Sequence, residues 1–209
     1  MNYKLSNIAS REKIRDFTKV DFVYPYLYKP KRKINGLKEQ SICVITQENP
    51  NQIKQAIWGM LPNNYKGDWR KFQRVKFTLH VNKKEIKKNI LYKEAFLQRR
   101  CLIIVTGFYV HKLIRGRLEN YLVENKNLEP YYLAGIYNVT NDGFITCSVI
   151  NTEAVEELNT INNLYEFMPL QIPKIFKNVW LDNHTTEQAI DSLINEPYYI
   201  KLKVQKIAS

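Results

Sequence analysis

Short apolar and β-branched runs set the rhythm of this chain. Residues 42–46 and 53–61 are such runs, each of strand length. Phe77, Leu79 and Val81 alternate with Lys76, Thr78 and His80, the two-residue period of a half-buried strand. Residues 102–109 form a long apolar run that predicts a central strand. Residues 131–137 and 144–150 predict two more strands, split by the turn signal Asn141-Asp142-Gly143. Residues 198–204 alternate again near the end.

Fewer stretches have a helical pattern. Residues 91–100 form one. Residues 152–158 start on a Thr with acids in the next turn, the signature of a capped helix start. Residues 185–194 start on a Thr and carry Ala189, Ile190, Leu193 and Ile194 as an apolar stripe. The first thirty or so residues are polar and then aromatic, ending in Phe22-Val23-Tyr24-Pro25-Tyr26-Leu27-Tyr28. The basic cluster Lys29-Pro30-Lys31-Arg32-Lys33 follows and is expected to be an exposed loop. The pattern predicts one α+β domain over residues 1–209, rich in strands. Its antiparallel sheet is expected to close or nearly close into a barrel, with a few flanking helices.

Composition narrows the class. With 44% hydrophobic and 25% charged residues the chain is globular rather than disordered. No apolar run is long enough to span a bilayer, and the first residues lack the apolar core of a secretory signal. A cytoplasmic location is the expectation. Cys43, Cys101 and Cys147 each sit in an apolar run, as buried thiols do. Their odd count and spacing argue against a disulfide frame and against zinc. His80 and His184 have no Cys or acidic partner at ligand spacing, so no metal and no cofactor is expected.

Charge adds a partner class. The net charge is +12, and residues 1–100 hold 23 Lys and Arg against 8 Asp and Glu. Residues 101–209 hold 9 against 12. A basic half of this kind suits a polyanion. Trp69, Arg70, Lys71, Phe72, Arg74 and Lys76 interleave aromatic and basic residues on an expected loop. That pattern suits single-stranded DNA, where stacking is worth roughly 1–3 kcal/mol per base. A solvated loop and a merely soluble surface are the plain alternatives.

Several signatures fall in the order of a known family. Asn35-Gly36 resembles its early Asn-x-Ala-Pro turn, without the Ala-Pro. Trp58-Gly59-Met60-Leu61-Pro62 is similar to its Trp-Gly-Leu-Ile-Pro strand end. Arg99-Arg100-Cys101-Leu102-Ile103 followed by Gly107-Phe108-Tyr109 resembles its Arg-Arg-Cys-Leu-Ile and Gly-Phe-Tyr-Glu-Trp pair. Ala134-Gly135-Ile136-Tyr137, residues 146–154, Met168-Pro169 and Trp180-Leu181 complete the series. Over roughly residues 30–195 the chain thus resembles the SOS-response-associated peptidase (SRAP) family. The resemblance implies binding of single-stranded DNA and capture of the abasic-site aldehyde. In that family a Cys after the initiator Met closes a thiazolidine on the aldehyde, assisted by a Glu, a His and an Asn.

At those positions this chain departs from the family. Residue 2 is Asn2, which supplies no thiol and is too large for ordinary removal of Met1. The family's Glu falls on Val110 and its following Trp on His111. Val110 has no proton to give or take. The catalytic His falls on Tyr165, whose residue type stays protonated near neutral pH, and the nearby Arg falls on Phe167. The family's Asn-Ala-Arg-x-Glu is one residue short here, in Asn82-Lys83-Lys84-Glu85. Aligning on Asn82 keeps the Asn and puts Lys84 at the Arg; aligning on Glu85 puts Lys83 there. Either way a cation survives without the guanidinium fork. A lone His such as His111 is more often a surface or packing residue than a base.

The expected site is therefore a vestigial centre of Asn2, Asn82, Val110 and Tyr165. The expected DNA contacts are Asn35, Trp69, Arg70, Lys71, Arg74, Lys83 and Lys84. Three readings stay open. One is a DNA-binding SRAP-fold protein without stable crosslinking. Another is a protein-interaction or structural descendant that has lost DNA. The third is an abasic-site enzyme or peptidase rebuilt on residues such as His111 and Tyr165. The charge asymmetry favours the first.

Overall fold

The computed structural model describes residues 3–159, 161 and 163–207. In chain order the first elements are β1 (Lys4–Asn7), α1 (Arg11–Thr18), β2 (Asp21–Phe22), β3 (Lys31–Asn35), β4 (Ser41–Thr46) and β5 (Gln52–Trp58). Next come α2 (Trp69–Val75), β6 (His80–Asn82), α3 (Ile90–Gln98), β7 (Arg100–Val105), β8 (Gly107–Ile114) and β9 (Arg117–Asn125). The rest are β10 (Tyr131–Val139), β11 (Ile145–Glu153), α4 (Glu156–Asn159), β12 (Phe167–Pro169), β13 (Gln171–Ile172), α5 (Lys177–Leu181), α6 (Glu187–Asn195) and β14 (Leu202–Ile207). Side-chain caps start four of the helices, from Ser10, Asp68, Asn89 and Thr186. Each such cap is worth about 1 kcal/mol.

The strands form two sheets. The larger runs β12-β11-β10-β7-β4-β5-β2, with β13 on β10 and β6 on β11. A parallel pairing of Thr146 with Ile57 and Cys147 with Trp58 joins β11 back to β5, so five strands return on themselves. The smaller sheet runs β14-β9-β8-β1-β3. Most pairings are antiparallel; β11 with β5, β11 with β6 and β2 with β5 are parallel. This is the strand-rich α+β fold that the pattern predicts.

Strand β7 shows why its run is apolar throughout. Leu102 and Ile104 face one core, with Ala95 and Phe96 of α3, Trp180 of α5 and Ile190 and Ile194 of α6. Cys101, Ile103 and Val105 face a second core between the sheets, with Trp58, Leu133, Phe108, Val110 and Val123. Both faces are covered, so alternation disappears. Cys43, Cys101 and Cys147 are buried as expected, and burial pushes their thiols up.

Several local expectations need correction. The apolar run 102–109 is two strands, because the chain leaves one sheet for the other at Thr106. Its N–H donates to the Ser6 carbonyl (2.8 Å) and its hydroxyl accepts from Ile8 N–H (3.1 Å). A Cβ on Gly107 would stand 2.7 Å from the Val123 carbonyl, so only glycine lets β8 start there. The basic cluster is not wholly a loop, since Lys31, Arg32 and Lys33 open edge strand β3. Residues 69–75 are helix α2, nucleated by Asp68, whose carboxylate accepts from Lys71 N–H at 2.8 Å. No helix starts at Thr152: pairing with Met168 keeps it in β11, and α4 is one turn further on. The cap of α6 is Thr186, one residue beyond Thr185. Strand β5 stops at Trp58, β6 spans only His80–Asn82, and the last strand begins at Leu202. Helix α1, capped by Ser10, and strands β1 and β9 lie outside the stretches that the sequence pattern singles out. Among the described residues no helix is long and apolar enough to cross a membrane.

Arg100 ties the layers together. It is 3% exposed, and its guanidinium donates to four carbonyls: Trp180 (2.8 Å), Phe96 (3.1 Å), Leu97 (2.9 Å) and Asp182 (2.8 Å). These belong to the last turns of α3 and α5, where carbonyls lack helical partners and the dipoles are negative. Arg100→Ala should therefore cost about 3 kcal/mol or more in urea unfolding, since charge-assisted bonds are each worth about 1.5–3 kcal/mol and the carbonyls stay buried. Arg100→Lys should recover less than half, because one ammonium cannot reach four divergent acceptors. Equal stability of Arg100→Lys and wild type would show that charge alone suffices.

Candidate nucleic-acid interface

Strand β11 is flanked by the strand that carries Asn82 and by the strand that follows Tyr165. Its parallel partner β6 aligns Asn82 with Asn151, and its antiparallel partner β12 aligns Glu153 with Phe167. Asn82 opens a turn: its side chain accepts from Lys84 N–H at 2.9 Å and its carbonyl from Glu85 N–H at 2.9 Å. Tyr165 is 42% exposed and lines a cleft of about 740 Å³ with Glu153, Leu164, Glu166 and Phe167. Asn163 pins this loop to the end of β8 through two bonds with the Leu113 backbone, at 2.8 and 2.9 Å. Asn2 lies outside the described residues.

Val110 contributes no polar atom to this group. It is 3% exposed within the core between the sheets, beside Leu5, Phe108 and Val123. The site can do no proton chemistry from that position. His111 is a packing residue, 3% exposed, with its ring 5.4 Å from that of Tyr3. Burial first, then the Lys4 charge, pull its pKa down. His80 packs edge-on against Trp58 at 5.5 Å, and burial lowers it to about 3, so it is neutral at ordinary pH. Among the described residues no group of three or more His, Cys, Asp or Glu could hold a metal.

The expected cations divide into two sets. Lys83 and Lys84 both pair with Glu153 at 2.8 Å, and Lys83 is nearly covered. The two ammonium groups hold the Glu153 carboxylate down at about 2. Sequence alone does not reveal this acid's role, because Thr152 and Glu153 have the pattern of a helix start. Arg70, Lys71 and Arg74 project from α2, with Arg70 3.3 Å from Glu39. Trp69 does not project with them. It is 6% exposed, lies over Gly59 and donates its indole N–H to the Gly59 carbonyl at 2.9 Å, so it cannot stack on a base. A Cβ on Gly59 would meet that indole at 2.7 Å. Asn35 caps a short turn by accepting from Leu37 N–H at 3.1 Å. That turn and α2 border a cleft of about 230 Å³ with Leu37, Phe77, Arg70 and Arg74 at its rim. Leu37 (53% exposed) and Phe77 (37% exposed) replace Trp69 as the apolar surface there, a role that no periodicity marks.

The Glu153 tie has a pH signature. Its pKa is below the ordinary 4.5, so its contribution to stability is complete above about pH 4.5 and is lost as pH falls through about 2. Glu153 is half exposed, so the contribution should be under about 1 kcal/mol. Urea midpoints of wild type and Glu153→Gln should differ at pH 6 and converge toward pH 2. A constant gap would remove the ion pair as its cause.

Solved structures share this architecture. A protein from Bacteroides thetaiotaomicron has a TM-score of 0.84 at 20% identity, covering 99% of this chain and 92% of its own. A protein from Bordetella bronchiseptica has a TM-score of 0.74 at 13% identity, covering 99% and 100%. A phage-related protein from the same organism has 0.71 at 11%, covering 99% and 94%. At these identities the likeness shows the fold alone. No curated protein matches the sequence. The family model described as SOS response associated peptidase (SRAP) matches residues 4–209, and the chain belongs to that family.

Proposed function

We propose that this protein binds single-stranded DNA, abasic strands included, without the stable thiazolidine bond of its family. The observation that carries the reading is Val110. The position that aligns with the family's acid-base Glu holds a side chain sealed in the apolar core. Tyr165 at the aligned His position and Asn2 at the aligned Cys position point the same way. Of the amine and thiol that close a thiazolidine, Asn2 supplies no thiol, so an α-amine alone would act. An α-amine titrates near pH ~8, so a fraction is neutral and can form an imine with an aldehyde, which water reverses.

Binding is supported by the basic half of the chain and by the cations of α2. Arg70, Lys71 and Arg74 lie on one exposed helix beside apolar Leu37 and Phe77, the mixture that a flexible strand with bare bases requires. Lys83 contributes little as long as Glu153 holds it, and Lys84 keeps an exposed side.

Fluorescence anisotropy of a labelled oligothymidylate measures the electrostatic part. Replacing Arg70, Lys71 and Arg74 together with Ala should weaken binding and flatten the salt slope by about 2, at about 0.7 for each phosphate no longer neutralised. Tight binding indifferent to salt and to these changes would refute the electrostatic account. Crosslinking is read on a denaturing gel with an abasic oligonucleotide. No heat-stable band should form, and any borohydride-trapped adduct should vanish on acetylating the N-terminus. Without positioned acid-base groups its formation should be slower by about 10²–10⁴-fold than for a complete site. A stable band without reductant would mean that another nucleophile serves, and the degenerate-site reading would fall.

A further inference from the structure

We infer that the single-strand path runs beyond α2 along edge strand β3 and ends on a tyrosine platform at residues 24–26. This rests on the DNA-binding reading above and extends it to a surface the vestigial centre does not include.

The platform is built by a division of labour in Tyr24-Pro25-Tyr26-Leu27-Tyr28. Tyr28 is the anchor: it is 8% exposed, stacks on Phe22 at 5.2 Å and donates its hydroxyl to the Ala9 carbonyl at 2.7 Å. Pro25 starts a short 3₁₀ turn, and the Arg11 guanidinium donates to the Pro25 carbonyl at 3.4 Å. The turn is thereby held while Tyr24 (54% exposed) and Tyr26 (70% exposed) stand out in solvent, their rings 6.1 Å apart. Exposed, fixed aromatic planes beside cations are what unpaired bases stack on. Tyr26 also borders a cleft of about 430 Å³ with Arg11 and Lys29, and with Glu12 as an acid on its lining.

Strand β3 supplies the link. Lys29, Lys31, Arg32 and Lys33 are all exposed, and β3 is the outer strand of its sheet. Asp21 and Glu39, the acids that bracket the segment in sequence, are held by Arg15 at 2.5 Å and Arg70 at 3.3 Å. Lysines on an edge strand also deter edge-to-edge pairing. That role does not require two projecting tyrosines. From Lys29 to Leu37 the chain advances eight residues, at most about 26 Å at about 3.3 Å each. That is room for about eight nucleotides at the stacked spacing of about 3.4 Å. The far end meets the cleft between Leu37 and α2, so the two basic-aromatic surfaces form one track.

The test compares oligothymidylates of about 5 and about 16 nucleotides, near the limits of usual site sizes. The full chain should bind the longer one much more tightly than its extra length explains statistically. Tyr24→Ala with Tyr26→Ala should lose roughly tenfold or more on the long strand and little on the short one. Tyr24→Phe with Tyr26→Phe should keep the wild-type preference, and Lys31→Ala with Lys33→Ala should flatten the salt slope only on the long strand. Wild-type binding at both lengths with no effect of the tyrosine pair would overturn the track and leave α2 binding intact. Absence of any wild-type binding would overturn both readings. Polyglutamate that binds as well as the long strand, with the same loss in the tyrosine variant, would assign the surface to an acidic peptide and overturn the nucleic-acid inference.

Discussion

A buried guanidinium is the constraint on which the rest of the fold depends. Arg100 stands at the start of β7, the strand that contributes to both cores, and closes the ends of two helices with four bonds. Its charge has no carboxylate partner among those contacts; four carbonyl dipoles do that work. Burial lowers its pKa, yet a guanidinium keeps its proton far above any ordinary pH. The arrangement fixes where α3 ends and β7 begins, and it holds Trp180 against β7 through an indole bond to the Cys101 carbonyl at 2.9 Å. All three tryptophans of the chain behave alike, each buried and each donating to a backbone carbonyl. Large apolar surfaces with one satisfied donor are well suited to seams between layers.

The core between the sheets sets the surroundings of position 110. Val110 is one member of it, alongside residues from β1, β5, β7 and β9. A carboxylate in that place would need partners or water, since an isolated buried charge is costly. A valine removes that cost and removes the acid with it. The histidines follow the same trend: burial lowers the pKa of both His80 and His111. Solvent-facing polar groups lie instead at the Asn82 turn, on α2 and on β3.

On that outer surface, ion pairing separates held cations from exposed ones. Glu153 occupies Lys83 and Lys84, while Lys71, Arg74 and the β3 cations stay exposed. The basic bias of the first hundred residues therefore does not act as a uniform field.

The sequence by itself determined the strand-rich α+β class, the family resemblance, the burial of the three cysteines and the absence of a titratable atom at Val110. Each follows from local pattern or residue type: period two, apolar neighbours, or a side chain with no titratable atom. Only the tertiary structure decided the rest. The run 102–109 has one composition but spans two sheets, because the corner at Thr106 depends on bonds to Ser6 and Ile8, about a hundred residues away. Trp69 lies among basic residues that face solvent, yet a helix started by Asp68 turns it onto Gly59. Lys83 and Lys84 look like free cations until β11 brings Glu153 beside them, seventy residues later in the chain. Local sequence specifies what a side chain can do. Which partner it meets is set by pairings between distant strands, and those are chosen by the burial of the whole core rather than by neighbours in the chain.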